Sequence, residues 1–185
     1  MTNDPALPGL PLATAQLLRR KHTAVVFAPD TAGRAAIALV LEFPELPAFR
    51  MTGEVQPAGK HDLVLTARIT ARVVQRCSVT LVPVETRIDE PVVRRYLADF
   101  QLPDGTEVEI PEDDSADPLT ETIDVAAVAI EALALALPMY PRAPGADLGE
   151  AVFAPPGAEP LRDTDLRPFA GLAALVAKKD SDPAE

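Results

Sequence analysis

From Leu63 to Val74 the chain alternates without a break for twelve residues. Leu63, Leu65, Ala67, Ile69, Ala71 and Val73 share one side, and Val64, Thr66, Arg68, Thr70, Arg72 and Val74 share the other. Successive side chains of a strand point to opposite faces, so a sustained period of two specifies a long strand with one apolar face. After a short break at Arg76-Cys77-Ser78, "VTLVPVETRI" reads as a second strand, and the two read as a β-hairpin. Pro83 places that second strand at an edge or a bulge, because proline cannot donate to a ladder.

The remaining segments follow from local signals. "HTAVVFAPD" reads as a short strand closed by the turn Pro29-Asp30, and "FRMTGEVQPAGKHD" as a strand followed by a turn through Pro57 to Gly59. Asp30 or Thr31 suits the N-cap of a helix over 31–42, with Ile37, Val40 and Leu41 on one face. That run stops at Phe43, ahead of Pro44. Asp124 suits the cap of a second helix over 125–137, "VAAVAIEALALAL", which Pro138 terminates. Being apolar almost all round, it is expected to lie covered by the sheet. "VVRRYLADFQL", residues 92–102, fits either a third strand or a helical turn.

The expected fold class is therefore α+β: an antiparallel twisted sheet or partial β-barrel packed by the 125–137 helix, with the 31–42 helix beside it and Pro-rich tails. Segregated strands and few helices argue against a doubly wound sheet. Proline numbers 20, about twice the usual share of roughly 5%. The domain organisation read from this is a Pro-rich arm over 1–20, one domain over 21–145 and an extended connection over 146–168. A short amphipathic helix over 169–179 and a disordered tail over 180–185 complete it.

Charge and cysteine usage exclude several classes. The formal net charge is −11, which argues against broad nonspecific nucleic-acid binding, since that needs Lys and Arg to displace counterions. No DNA is expected as a partner. The acidity is local. Residues 104–124 hold nine acids and no Lys or Arg, leaving 19 acids to face 17 bases elsewhere. A single cysteine, Cys77, excludes an internal disulfide and any multi-cysteine zinc site, and a reducing cytosol is the simplest compartment. The N-terminal residues read without a secretory leader, and the longest apolar run is too short to span a bilayer. No cofactor is expected: the nine glycines form no phosphate-binding loop.

Few residues carry chemistry. A nucleophilic thiol needs a base or positive field, and neither His22 nor His61 lies in a recognisable motif. If the alternation continues, Cys77 lies on the apolar face with Ile69 and Val73, as a small packing residue. No metal site is expected, because the acidic segment lacks calcium-loop spacing. It reads as a solvated loop, in which Glu107, Glu109, Glu112, Asp113, Asp114 and Asp117 offer an anionic surface to a cationic partner. Glu131, the one charge in the main helix, reads as a rim residue on the Ala127/Ala134 stripe, with a catalytic carboxylate as the other reading. Arg68, Arg72 and Arg76 form a row with about 13 Å between successive members. Ordinary solvent-facing decoration has the same spacing. The use of 13 Arg against 4 Lys favours recognition, since guanidinium forks onto phosphate or carboxylate.

The order of these features resembles a known family. A hairpin carrying "VVQRCSVTLVPV" is followed by an acidic loop, then "TIDVAAVAIEALALALPMYPRAPGA", then "RPFAGLAAL". This resembles the YceD family, the large ribosomal RNA subunit accumulation proteins, over roughly residues 50 to 178. The resemblance is most specific in Ile123-Asp124-Val125, Glu131, Leu137-Pro138, and Pro168-Phe169 with Leu172 and Leu175, and Cys77 matches one cysteine of the family's turn. "PMYPRAPGA" looks like the α-proteobacterial branch. Where many members have a first turn cysteine this chain has Val74, so a metal or redox role suspected for them does not carry over. The resemblance implies a cytoplasmic role in making or accumulating the 23S rRNA of the large ribosomal subunit. The implied partner is a large-subunit precursor, met through rRNA or a basic ribosomal protein. It implies no reaction, and the sequence carries no recognisable catalytic set, so the expectation is a non-enzyme.

Overall fold

The computed structural model describes residues 6–100, 115–147 and 149. The connection expected from 146, the 169–179 helix with Phe169, the 180–185 tail, and Glu107, Glu109, Glu112, Asp113 and Asp114 lie almost wholly outside them. In chain order the elements are β1 (Pro11–Ala13), α1 (Thr14–Leu17), β2 (Thr23–Phe27), α2 (Thr31–Val40), β3 (Glu45–Ala58), β4 (Asp62–Arg76), β5 (Pro83–Leu97), β6 (Ala116–Pro118), β7 (Thr122–Asp124) and α3 (Val125–Ala136). The fold is α+β. Five strands form one sheet in the order β2-β3-β4-β5-β6, antiparallel except for the β5–β6 pair. The sheet is open rather than closed into a barrel, with β2 and β6 as its edges.

The alternating run sits in β4, between its two longest partners. Leu63, Leu65, Ile69 and Val73 are fully buried, and Arg68 and Arg72 on the other parity are exposed. Both α2 and α3 belong to the buried side. Helix α3 packs Val125, Ala126, Val128, Ala129, Ile130 and Leu133 into the core, where Phe27 and Phe49 also meet edge to face with ring centroids 5.8 Å apart. Gly53 stands directly opposite Ala67, and a Cβ there would lie 2.3 Å from the Thr66 carbonyl oxygen. Only a residue without a side chain lets β3 approach β4 this closely.

One local reading left open is decided in favour of strand, and two expectations are corrected. The 92–102 segment is strand as far as Leu97, continuing β5. The second hairpin strand begins at Pro83 rather than at Val79: the Cys77 sulfur accepts the N–H groups of Val79 and Thr80, each at 3.4 Å, and so holds that stretch in a turn. Helix α2 ends at Val40, short of the residue before Pro44. Glu42 adopts φ +57°, and the N–H groups of Glu42 and Phe43 donate to Leu39 and Ala38 carbonyls. That closes the helix as a Schellman motif before the proline acts. The N-terminal arm also has structure: β1 pairs antiparallel with β7, tying Pro11–Ala13 to Thr122–Asp124.

Candidate functional site

The sheet face away from α3 is assembled from the outward parity of three strands. On β4 it presents Arg68, Arg72 and Arg76, all exposed, as the alternation predicts. Register decides what surrounds them. Arg68 lies opposite Pro91, Arg72 opposite Arg87, and Arg76 opposite Pro83. On the other side Thr52 faces Arg68, Arg50 faces Thr70, and Ala48 faces Arg72. The row is thus one line within a broader basic surface to which Arg50 and Arg87 also contribute.

The three predicted arginines are not equivalent. Arg68 donates from Nε to Asp89 Oδ1 at 2.5 Å. That hydrogen bond, with the charge beside it, raises the guanidinium pKa and lowers that of the Asp89 carboxyl. Both side chains are more than half exposed, so the pair contributes little to stability. Arg72 and Arg76 have no ion pair among the described residues. Arg76 borders a hollow with Glu42, Phe43, Met139 and Pro141 at the end of the sheet.

Asp117 lies elsewhere than the sequence suggested. Instead of standing in a solvated loop, it occupies β6, where Tyr96 is its register partner. Its Oδ2 lies 3.5 Å from Arg94 Nε, and Arg94 Nη2 donates to Glu131 Oε1 at 2.7 Å. The Arg94 side chain is only 14% exposed. Burial works against its charge, but Glu131 and Asp117 outweigh it and raise the pKa. Tyr96 lies beside them with a buried hydroxyl that has no hydrogen-bond partner among the described residues, and burial and Asp117 push its pKa up to about 12. Glu131 is therefore a rim carboxylate tied to a strand arginine. Arg94 is not legible as an inward residue in the sequence, because "VVRRYL" holds two adjacent arginines and only register turns one of them inward.

Cys77 is buried, as expected, but is not one of the apolar cluster that holds Ile69 and Val73. Strand β4 ends one residue earlier, and the sulfur accepts backbone N–H groups from Val79, Thr80 and, at 3.3 Å, Ala143. The Ser78 N–H donates to the Pro141 carbonyl at 2.8 Å, so this turn holds the chain that follows α3. A hydrogen bond from the Thr80 side chain and the bond from Ala143 lead the causes that lower the thiol pKa to about 6. Asp124 caps α3 as predicted, and Gln75 Nε2 donates to the Pro138 carbonyl at 3.2 Å. No group of three or more His, Cys, Asp or Glu converges among the described residues.

Together these features define an α+β protein built on one open sheet, covered by helices on one face and lined with arginines on the other. The model of the family described as large ribosomal RNA subunit accumulation protein YceD matches residues 65–176, and the chain belongs to that family. Membership implies a role in accumulating the RNA of the large ribosomal subunit. The match opens within β4 and takes in β5, β6, β7 and α3, whereas β2, α2 and β3 precede it. Neither a curated protein nor a solved structure matches the chain. No described helix is long and apolar enough to cross a membrane.

Proposed function

We propose that this protein is a non-enzymatic, cytoplasmic ribosome-biogenesis factor that supports synthesis, processing or accumulation of 23S rRNA by binding a precursor of the large subunit. The observation that carries this reading is the exposed row of Arg68, Arg72 and Arg76 on the sheet face that α3 leaves uncovered, in a member of an rRNA-accumulation family. Guanidinium groups there meet phosphate at intervals along the strand. A net charge of −11 keeps the rest of the molecule from adhering to nucleic acid at random, so binding depends on this face.

A second reading rests on the acidic segment. Glu107, Glu109, Glu112, Asp113 and Asp114, with Asp117 nearby, lie in a stretch without Lys or Arg and suit a protein-only adaptor for a basic ribosomal protein. One experiment separates the two. Lysate from cells expressing Arg68→Glu, Arg72→Glu, Arg76→Glu protein is sedimented, and the large-subunit precursor fractions are probed for it. The first reading expects the triple variant to leave those fractions while its thermal unfolding stays close to wild type. Unchanged sedimentation removes the row from the function, and a pull-down that survives RNase then supports the adaptor.

A further inference from the structure

We infer that the outer face carries a cross-strand arginine cluster, Arg50, Arg72 and Arg87, that takes the phosphate backbone of double-helical RNA. This rests on the rRNA reading above and names the form of RNA and the residues at its centre.

Register brings the three together. Arg72 and Arg87 are direct cross-strand partners, and Arg50 is diagonal to Arg72, being opposite Thr70 while Ala48 is opposite Arg72. Direct partners have Cβ atoms about 5 Å apart, and diagonal ones lie about 7–8 Å apart. All three are exposed, and none makes an ion pair among the described residues. Like charges directly opposite on a sheet destabilise it. Among the described residues the nearby acids form no ion pair with these two: Asp89 is committed to Arg68, and neither Glu45 nor Glu85, both opposite Val74, pairs with Arg72 or Arg87. A surface that keeps three guanidiniums side by side, without an ion pair among the described residues, is arranged for an added anion.

The surroundings indicate which anion. Beside Arg50 and Arg72 lies an open hollow of about 410 Å³ that also involves Thr70 and Arg34. Arg34 donates to the carbonyls of Leu46 and Pro29 and to the Thr31 hydroxyl, so it adds positive charge while its position is fixed. Thr52, Thr66 and Thr70 interleave with the arginines, offering hydroxyls that can reach phosphate or a ribose 2′-OH. Among the described residues, the strands of this face present no aromatic side chain outward. Phe27, Phe43, Phe49 and Tyr96 are buried, the half-buried Phe100 follows the end of β5, and the exposed Tyr140 follows α3. Single-stranded RNA is held by stacking bases on aromatics, whereas duplex RNA is met by its shape, phosphates and 2′-hydroxyls. Arginine and threonine without aromatics suits the duplex.

The test uses the purified full chain and fluorescence anisotropy. The probes are an RNA duplex of about 20 base pairs, longer than the roughly 16 a dedicated duplex-binding domain covers, and one of its strands alone. The duplex is expected to bind more tightly. Arg72→Gln with Arg87→Gln is expected to weaken duplex binding at least tenfold, independently of sequence, and to reduce the salt slope by about 2, one per lost phosphate contact. The same variant should melt no lower than wild type, because it removes a like-charge pair. Arg68→Gln, whose guanidinium is already paired, should change the slope least. Tighter binding of the single strand, or an unchanged slope in the double variant, overturns the inference. If the Glu triple variant leaves the precursor fractions but duplex binding ignores Arg72 and Arg87, the inference fails and the functional reading stands. If duplex binding needs Arg72 and Arg87 but sedimentation of the triple variant is normal, the functional reading fails alone.

Discussion

Arg94 on the helix-facing side of β5 donates to Glu131 of α3 across 2.7 Å. It is the charged link between the sheet and the helix that covers it, and Asp117 of β6 stands on its other side at 3.5 Å. Glu131 is 53% exposed, so solvent screens the pair, and a double-mutant cycle between Arg94→Ala and Glu131→Ala should give a coupling of about 0.5–1 kcal/mol. Arg94→Ala alone should cost more than Glu131→Ala, because it also strands Asp117 and removes an apolar stem from a nearly buried position. Chemical denaturation of the four proteins measures this. A coupling of zero would mean that α3 is held by its apolar face alone.

Asp124 does two jobs with one oxygen. Its Oδ1 accepts from the N–H of Ala126 at 2.9 Å and of Ala127 at 3.4 Å, capping α3, and from the N–H of Leu10 at 2.8 Å, fixing the N-terminal arm. Replacing a cap by alanine costs about 1–2 kcal/mol, and here the Leu10 donor loses its partner as well. Asp124→Ala should therefore fall at the upper end of that range, and hydrogen exchange should speed up at Leu10 and along β1 as well as in the first turn of α3. Asp124→Asn, which keeps an acceptor oxygen, should recover most of the loss. Faster exchange confined to α3 would show that the arm is held by β1–β7 pairing without Asp124.

How far the sequence reaches depends on the range of the interaction that decides each feature. The β4 row from Leu63 to Val73 was legible because burial on one face imposes its period directly. The start of α3 was legible because Asp124 is a local cap, and its end because of Pro138. Arg68, Arg72 and Arg76 could be placed on one face by counting along one strand. Arg50 and Arg87 could not, because what lies opposite Arg72 is set by the turns on either side of β4, whose lengths are not readable to one residue. The same holds for Arg94, which differs from Arg95 only in parity. β6 has three residues in an acid-rich stretch with no strand pattern, so Asp117 gave no sign of pairing with an arginine. The alternation places Cys77 on the apolar face only when it is extended one step beyond the end of the strand.

That last displacement changes the chemistry of Cys77. A thiol in the apolar row would be held neutral by burial. Instead the sulfur faces the Thr80 side chain and the N–H groups of Ala143, Thr80 and Val79, which bring its pKa from 9.0 to about 6. The folded pKa lies below the unfolded one, so folding favours the thiolate. The stability this contributes is complete above about pH 9 and is lost as pH falls through about 6. The stability difference between wild type and Cys77→Ala should therefore shrink as pH is lowered across that window. Thiolate absorbance should titrate with a midpoint near 6 in the native protein and near 9 in denaturant. Cys77→Ser, whose hydroxyl accepts the same donors but does not ionise here, should recover part of the loss and show no such pH dependence. A native midpoint near 9, or a wild-type advantage that is flat with pH, would return Cys77 to a packing residue and leave the 77–82 turn to its backbone hydrogen bonds.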